Sequence, residues 1–202
     1  MSLLSVARNV AKNVGIAIPD AVAGGDDPDA IKLREFINET GQELARRVDW
    51  RGLRKEHPLI GTGVAAPYSL PDDFSRVVAG NAVMVNGSRV RGSLTDDEWN
   101  SLTPVEGTPR YYFKGAMLIG FYPYPAEAEQ ISITYVSTQW TAQGKDVLVS
   151  DDDTSLIPEA LLEMGATWRH KRQFAADYQD YMAEYEAALS DLAQFDGGVR
   201  EP

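Results

Sequence analysis

Residues 156–195 read LIPEALLEMGATWRHKRQFAADYQDYMAEYEAALSDLAQF, and this stretch decides the predicted fold. Its apolar side chains recur in alternating steps of three and four, the spacing of a helix with one buried face. We predict one continuous helix, roughly 50 to 60 Å long at 1.5 Å per residue, which a single chain of this size covers poorly without neighbouring subunits. A polar line runs about half a circle away and consists of Glu163, His170, Asp177, Glu184 and Asp191.

Two further helices and a set of short strands precede this stretch. The patterns predict helices over residues 2–14 and 27–50, and strands between residues 57 and 138. Asn86-Gly87 indicates a hairpin, because both residues tolerate the positive φ of a type I′ turn. Short strands bounded by turn residues are typical of a small antiparallel sheet.

The predicted fold class is therefore α+β. Residues 1–56 and 139–195 form a helical bundle with two to three main helices, including the long C-terminal helix. Residues 57–138 form an inserted small antiparallel β-sheet or barrel. Residues 196–202, which begin with an aspartate and two glycines, form a flexible C-terminal tail.

Composition and charge narrow the functional classes. The net charge of −11 disfavours a protein that grips nucleic acid over its whole surface. The chain has no cysteine and only two histidines, so we predict no disulfide, no metal site and no cofactor. No run of eighteen apolar residues occurs, so no membrane span is expected. Asp151, Asp152 and Asp153 lack the spacing and glycine of a calcium loop, and we interpret them as acidic residues ahead of a helix.

Catalytic motifs are absent from the sequence. There is no Gly-rich phosphate loop with a following lysine, no Gly-x-Ser-x-Gly elbow and no His-Glu-x-x-His pair. We therefore predict that the chain is not an enzyme. The alternative is a carbohydrate-binding or hydrolytic module in which aromatic side chains of the β-region form a stacking platform. Those side chains are Tyr111, Tyr112, Phe113, Phe121, Tyr122 and Tyr124.

Two charged groups are candidate interaction sites. The basic end of the second helix either complements the helix dipole, with Trp50 in the core, or docks an acidic partner surface or a phosphate backbone. The polar line is either a solvated face or the wall of a channel through which DNA slides, because like charge repels phosphates. The candidate partner patch is Arg46, Arg47, Arg51, Arg54 and Lys55, and the candidate channel-facing residues are Asp177, Glu184 and Asp191.

Several segments of the sequence resemble those of a known protein family in their order and spacing, although no single segment is diagnostic. They are Leu3–Ala7, Asn38–Arg46 with Asp49-Trp50, Tyr68–Phe74, Glu98-Trp99, Tyr135–Ser137 with Trp140, and Ile157–Leu162 leading to Trp168–Lys171. Together they cover nearly the whole chain. In this arrangement the chain resembles the head-to-tail adaptor, or head-completion, proteins of tailed bacteriophages.

The resemblance implies a structural virion protein that assembles as a ring of twelve copies beneath the portal protein. Such a ring connects the phage head to the tail, extends the DNA channel, helps retain packaged double-stranded DNA and offers a platform to a downstream tail or nozzle protein. It lies at the head–tail interface of the virion after assembly in the host bacterial cytoplasm. The resemblance assigns portal docking to the C-terminal segment, here Phe195, Asp196, Gly197, Gly198, Val199, Arg200, Glu201 and Pro202.

Overall fold

The chain folds into two compact units, one helical and one built from sheets. The helical unit comprises residues 1–53 and 138–202, and the sheet unit comprises residues 54–137. Helices and antiparallel sheets together confirm the predicted α+β fold class. The computed structural model describes residues 2–80, 82–101, 110–115, 117–174 and 177–196.

The helices and strands follow the predicted order, with short strands between the helical segments. In chain order the elements are α1 (Leu3–Val14), α2 (Pro28–Arg47), β1 (Arg54–Ile60), β2 (Tyr68–Ser69), β3 (Phe74–Val77), β4 (Val83–Val85), β5 (Ser88–Arg89), α3 (Asp96–Asn100), β6 (Arg110–Phe113), β7 (Leu118–Tyr122), β8 (Gln130–Ser137), α4 (Glu159–Phe174) and α5 (Gln179–Asp196). A single turn of 3-10 helix, Arg51–Leu53, precedes β1.

The helical unit packs the apolar faces of α1, α2 and α4 against one another. Two glycines inside the helices permit this close approach. A Cβ atom at Gly165 of α4 would collide with the side chain of Thr40 on α2, and a Cβ atom at Gly41 would collide with the Trp140 ring. α4 therefore meets α2, and the Trp140 ring meets α2, at positions where a side chain is missing.

The predicted single C-terminal helix is wrong, because two helices occupy this part of the chain. α4 ends at Phe174, α5 begins at Gln179, and α5 runs back along α4. The Trp168 and Tyr185 rings lie 6.3 Å apart, and the Lys171 ammonium lies 5.3 Å from the centre of the Tyr181 ring. Folding back buries apolar side chains of α5 that a straight helix would leave in water, namely Tyr185, Leu189 and Ala193.

The sheet unit contains two antiparallel sheets. One has the strand order β1-β8-β4-β5, with β3 also paired to β8, and the other has the order β2-β7-β6. The predicted hairpin at Asn86-Gly87 is confirmed, because φ is 48° at Asn86 and 74° at Gly87 and Val85 pairs with Ser88. Apolar side chains of both sheets form one buried core, including Val83, Ile119 and Ile133.

Candidate interaction surfaces

A network of charged side chains joins α2, α4 and α5. The Arg169 guanidinium donates a hydrogen bond to the Thr40 hydroxyl at 3.0 Å and another to the Glu43 carboxylate. Arg47 donates two hydrogen bonds to Glu186, at 2.7 and 2.6 Å, and one to Glu43 at 2.8 Å. The hydrogen bonds from Arg47 favour the charged carboxylate, so the pKa of Glu186 is lowered. Glu43 and Glu186 of the same chain thus neutralise Arg47 of the predicted basic patch.

The rest of the basic patch divides into engaged and available side chains. Lys55 pairs with a carboxylate of the sheet unit at 2.6 Å, and Arg54 is partly buried and engaged in contacts. Arg46 and Arg51 are exposed, and their guanidinium groups form no ion pair or hydrogen bond among the described residues. Two arginines of the predicted patch therefore remain available to another molecule.

The residues of the predicted polar line are exposed only on α5 and immediately before it. Asp177 precedes α5, Glu184 and Asp191 lie on it, and all three are exposed. Glu163 lies on α4, is partly buried and accepts a hydrogen bond from the Asn9 amide at 2.7 Å. The three candidate channel-facing residues thus share an exposed position, while the line does not continue onto α4.

His170 is buried, which corrects its predicted place on a polar face. Its ring lies 6.2 Å from the Phe36 ring and 4.8 Å from the Phe174 ring, measured between ring centres. Only 8% of the residue is exposed. Burial disfavours the imidazolium and lowers the pKa of His170 below its ordinary value of 6.5.

The C-terminal end of α5 presents an exposed aromatic side chain beside an anchored carboxylate. Phe195 is 85% exposed. The Asp196 carboxylate accepts a hydrogen bond from the backbone N–H of Arg51 at 2.6 Å. Of the predicted portal-docking segment, Gly197–Pro202 lies outside the described residues.

A groove between α1, α4 and α5 was not anticipated from the sequence. It has a volume of about 360 Å3 and is lined by Asn13, Met164, Thr167, Tyr181 and Glu184. Thr167 is only 4% exposed, and its hydroxyl has no hydrogen-bond partner among the described residues. The sequence offers no signal for this groove, because a straight C-terminal helix would separate Met164 from Tyr181.

The aromatic side chains of the sheet unit are mostly covered by one another. Trp99 stacks on Tyr112 with ring centres 3.6 Å apart and meets the edge of Tyr122 at 5.9 Å. Tyr124 is 49% exposed. The remaining rings of the predicted platform are buried or partly buried, namely Tyr111, Phe113 and Phe121. The rings therefore contribute chiefly to packing within the sheet unit.

The acidic residues before α4 accept hydrogen bonds from backbone N–H groups. Asp151 accepts hydrogen bonds from two consecutive backbone N–H groups, at 2.9 and 2.8 Å, and Asp153 accepts two others at 2.8 and 2.9 Å. These backbone hydrogen bonds lower the pKa of Asp153. Across the described residues, no group of three or more His, Asp or Glu side chains is placed to hold a metal ion.

The described surface of this acidic chain thus combines a groove, exposed carboxylates and an exposed aromatic side chain, which are features through which a protein can bind other chains. The family model for the SU10 adaptor protein matches residues 1–202. The chain therefore belongs to the SU10 adaptor protein family and is a structural adaptor protein of a bacteriophage, as the resemblance implied. No curated protein shows significant similarity to it. None of the described helices is long and apolar enough to cross a membrane.

Proposed function

We propose that the chain assembles as a ring of twelve copies beneath the portal protein, where it connects the phage head to the tail and extends the DNA channel. The observation that carries this proposal is the family match over residues 1–202. The ring helps retain packaged DNA and presents a platform to a downstream tail or nozzle protein. The protein works in the virion, after assembly in the host cytoplasm, by binding rather than by catalysis.

The proposed portal-docking segment runs from Phe195 to Pro202. An aromatic side chain that is 85% exposed at the end of a helix supports this assignment, because its burial against a partner removes apolar surface from water. The hydrogen bond from Arg51 to Asp196 gives the segment a fixed starting point on the helical unit.

The proposed channel-facing residues are Asp177, Glu184 and Asp191. Their exposure supports the proposal, and none of the three forms an ion pair among the described residues. Unneutralised carboxylates repel the phosphates of a passing duplex, so that the DNA slides through the ring and does not adhere to its wall.

Mixing the protein with purified portal rings of its phage tests the proposed function. Native mass spectrometry and electron microscopy should show twelve adaptor copies on each portal ring, with matching symmetry. A protein lacking residues 197–202 should fold normally, since the Asp196 contact is retained, and fail to join the portal. Normal joining by this truncated protein would contradict the docking assignment.

A matched pair of substitutions separates a docking role from exposed apolar surface in general. Phe195→Ala should weaken joining to the portal. Phe174→Ala removes an aromatic side chain of α4 that is 57% exposed and should leave joining unchanged. Equal joining by the two variants would count against a specific role for Phe195.

A further inference from the structure

The Asn86-Gly87 turn between β4 and β5 contains the asparagine of this chain that is most prone to deamidation. The backbone nitrogen of the residue that follows an asparagine can attack the side-chain Cγ atom, and a glycine nitrogen does so most readily because no side chain obstructs its approach. Among the asparagines of the sequence, only Asn86 is followed by glycine. Both turn residues are exposed, so water has access to the turn.

Deamidation at this turn takes two steps. A bond forms between the Gly87 nitrogen and Asn86 Cγ, the bond from Cγ to Nδ2 breaks, and the proton lost from the Gly87 nitrogen departs with the amide as ammonia. Water then opens the resulting cyclic imide and leaves either aspartate or isoaspartate at residue 86. The first step requires the Asn86 side chain to turn its Cγ atom onto the Gly87 nitrogen, so the rate depends on the freedom of that side chain.

The fold ties the Asn86 side chain to the beginning of β8. Its Nδ2 donates a hydrogen bond to a carboxylate oxygen of Glu129 at 2.9 Å, and its Oδ1 accepts one from the backbone N–H of Gln130 at 3.0 Å. The backbone N–H of Asn86 donates a further hydrogen bond to the Gln130 carbonyl oxygen at 2.8 Å. Both polar atoms of the side-chain amide are therefore held.

Glu129 is itself fixed in position, which allows it to hold the amide. Its second carboxylate oxygen accepts a hydrogen bond from the backbone N–H of Ala126 at 2.7 Å, and the residue is partly buried. A carboxylate that is already fixed through one oxygen loses little further freedom when it binds Asn86 through the other. Its negative charge also strengthens the hydrogen bond from the amide.

We propose that Asn86-Gly87 is a deamidation site, and that Glu129 and the backbone N–H of Gln130 keep it unreactive in the folded protein. Attack by the Gly87 nitrogen requires the amide to leave both of these hydrogen bonds, so only the locally opened fraction of the molecules reacts. Glu129 is thus a positioning residue that acts by holding the amide. The inference does not depend on the proposed ring.

Deamidation would loosen the attachment of the β4–β5 hairpin to β8. Aspartate at residue 86 has no amide donor, and its carboxylate takes the place of a group that lies 2.9 Å from a Glu129 oxygen, so an attraction becomes a repulsion between like charges. Isoaspartate adds a backbone atom to a two-residue turn. A structural protein of a phage is not replaced within the particle, so slow deamidation extends the lifetime of the particle.

Glu129→Ala tests the protection directly. Incubation of the folded protein at mildly alkaline pH, followed by proteolysis and mass spectrometry, measures the converted fraction of residue 86, because the acid is heavier than the amide. Conversion should be roughly fivefold faster than in the wild type, the factor that one net hydrogen bond provides. Glu127→Ala removes another exposed acid of the same loop, which has no hydrogen bond or ion pair among the described residues, and should react at the wild-type rate.

The same measurement in urea separates the effect of the fold from that of the local sequence. Residue 129 is 43 positions from residue 86, so its substitution should not change the rate in the unfolded chain. The wild type and Glu129→Ala should therefore react equally fast in urea, and the wild type should react much more slowly when folded. Equal rates of the two folded proteins, or a slower reaction of folded Glu129→Ala, would overturn the proposal.

Asn86→Asp tests the same contacts without the reaction. The melting temperature should fall by about 2 to 4 °C, since a hydrogen bond is replaced by repulsion from Glu129. Asn100→Asp introduces the same change at an exposed asparagine at the end of α3 and should melt close to the wild type. A melting temperature of Asn86→Asp equal to that of Asn100→Asp would show that the amide is not held and would overturn the proposal as well.

Discussion

The helical unit and the sheet unit use different contacts to specify their structures. Neighbouring strands are joined by backbone hydrogen bonds, and these bonds set the position of one strand relative to the next. For example, β1 pairs with β8 from Arg54↔Val136 to Ile60↔Gln130. Helices satisfy their backbone hydrogen bonds internally and share none with a neighbour. Their relative positions must therefore be set by side chains.

In the helical unit, charged side chains and a glycine set the relative positions of the helices. Arg169 reaches across from α4 to Glu43 and Thr40 on α2, and Gly165 lets α4 approach Thr40 closely. The sheet unit also contains a polar cluster, in which Asp73 accepts hydrogen bonds from Tyr135 at 2.9 Å and other groups. There the cluster supplements a backbone pairing that already defines the register.

The largest expected effect breaks the charge network of the helical unit. Glu43→Leu leaves the Arg169 side chain, which is only 11% exposed, without its closest acid. The free energy of unfolding should fall by about 3 kcal/mol, at the lower end for a broken buried pair because the Glu43 side chain remains 24% exposed. Urea denaturation followed by circular dichroism measures the loss.

Glu186→Leu is the matched control for this prediction. It removes the other acid that binds Arg47, but both side chains of that pair are about 40% exposed, at 40% and 42%. Exposed pairs contribute about 0 to 1 kcal/mol. Equal losses for Glu43→Leu and Glu186→Leu would contradict the special role of the buried pair.

An intermediate effect on stability is expected from a substitution that adds a side chain where α2 and α4 pack closely. Gly165→Ala places a methyl group against the Thr40 side chain, and the free energy of unfolding should fall by about 1 to 3 kcal/mol despite the better helix propensity of alanine. Gly25→Ala meets no atom within 4 Å and has no positive φ, so its unfolding should be unchanged. Stabilisation by Gly165→Ala would show that the helices can separate without loss.

The smallest expected effect is a difference between the two units in how their stability changes as the pH falls. In the helical unit, burial holds the pKa of His170 below 6.5, so the unfolded chain binds a proton first as the pH falls. In the sheet unit, burial opposes the charge of Asp73, but hydrogen bonds from Lys55, Ser137 and Tyr135 outweigh it and hold its pKa below 3.8. Both groups stabilise the native state at neutral pH, and both contributions are lost on acidification, in different pH ranges.

The helical unit should therefore weaken first, as the pH falls below about 6.5, by at most about 1.4 kcal/mol down to pH 5.5. Hydrogen exchange resolved by segment should show faster exchange in α2 and α4 while β8 keeps its protection. His170→Gln should flatten this dependence between pH 7 and 5.5. An unchanged slope in that variant would exclude His170 as its source.

Local signals in the sequence predicted the elements that are specified locally. Asn86-Gly87 forms its hairpin because the turn conformation depends on those two residues. The helical periodicity of residues 161–192 is used by both α4 and α5, so the helical state was predicted correctly on each side. Of the candidate site residues, the exposure of Glu184 and Asp191 on α5 followed from the same periodicity.

The break between α4 and α5 was not predictable, because residues 171–180 read KRQFAADYQD and contain no glycine or proline. The fold-back is favoured by burial of Tyr185 and Leu189, which is a gain in tertiary contacts. The same contacts bring Met164, Thr167 and Tyr181 together in the groove. Pairing of Arg47 with Glu186 depends on them as well, so the sequence could not show which patch arginines remain available.

The sequence by itself determined the α+β class, the order of helices and strands, the acidic charge and the resemblance to phage adaptor proteins. These properties reside in composition, periodicity and short motifs, each of which acts over a few residues. The tertiary structure decided that the C-terminal region folds back and that Arg47 pairs with Glu186, while the Arg46 and Arg51 guanidinium groups form no ion pair among the described residues. It also buried the Thr167 hydroxyl without a hydrogen-bond partner among the described residues. Those outcomes depend on distances between residues that are remote in the chain, which local patterns do not encode.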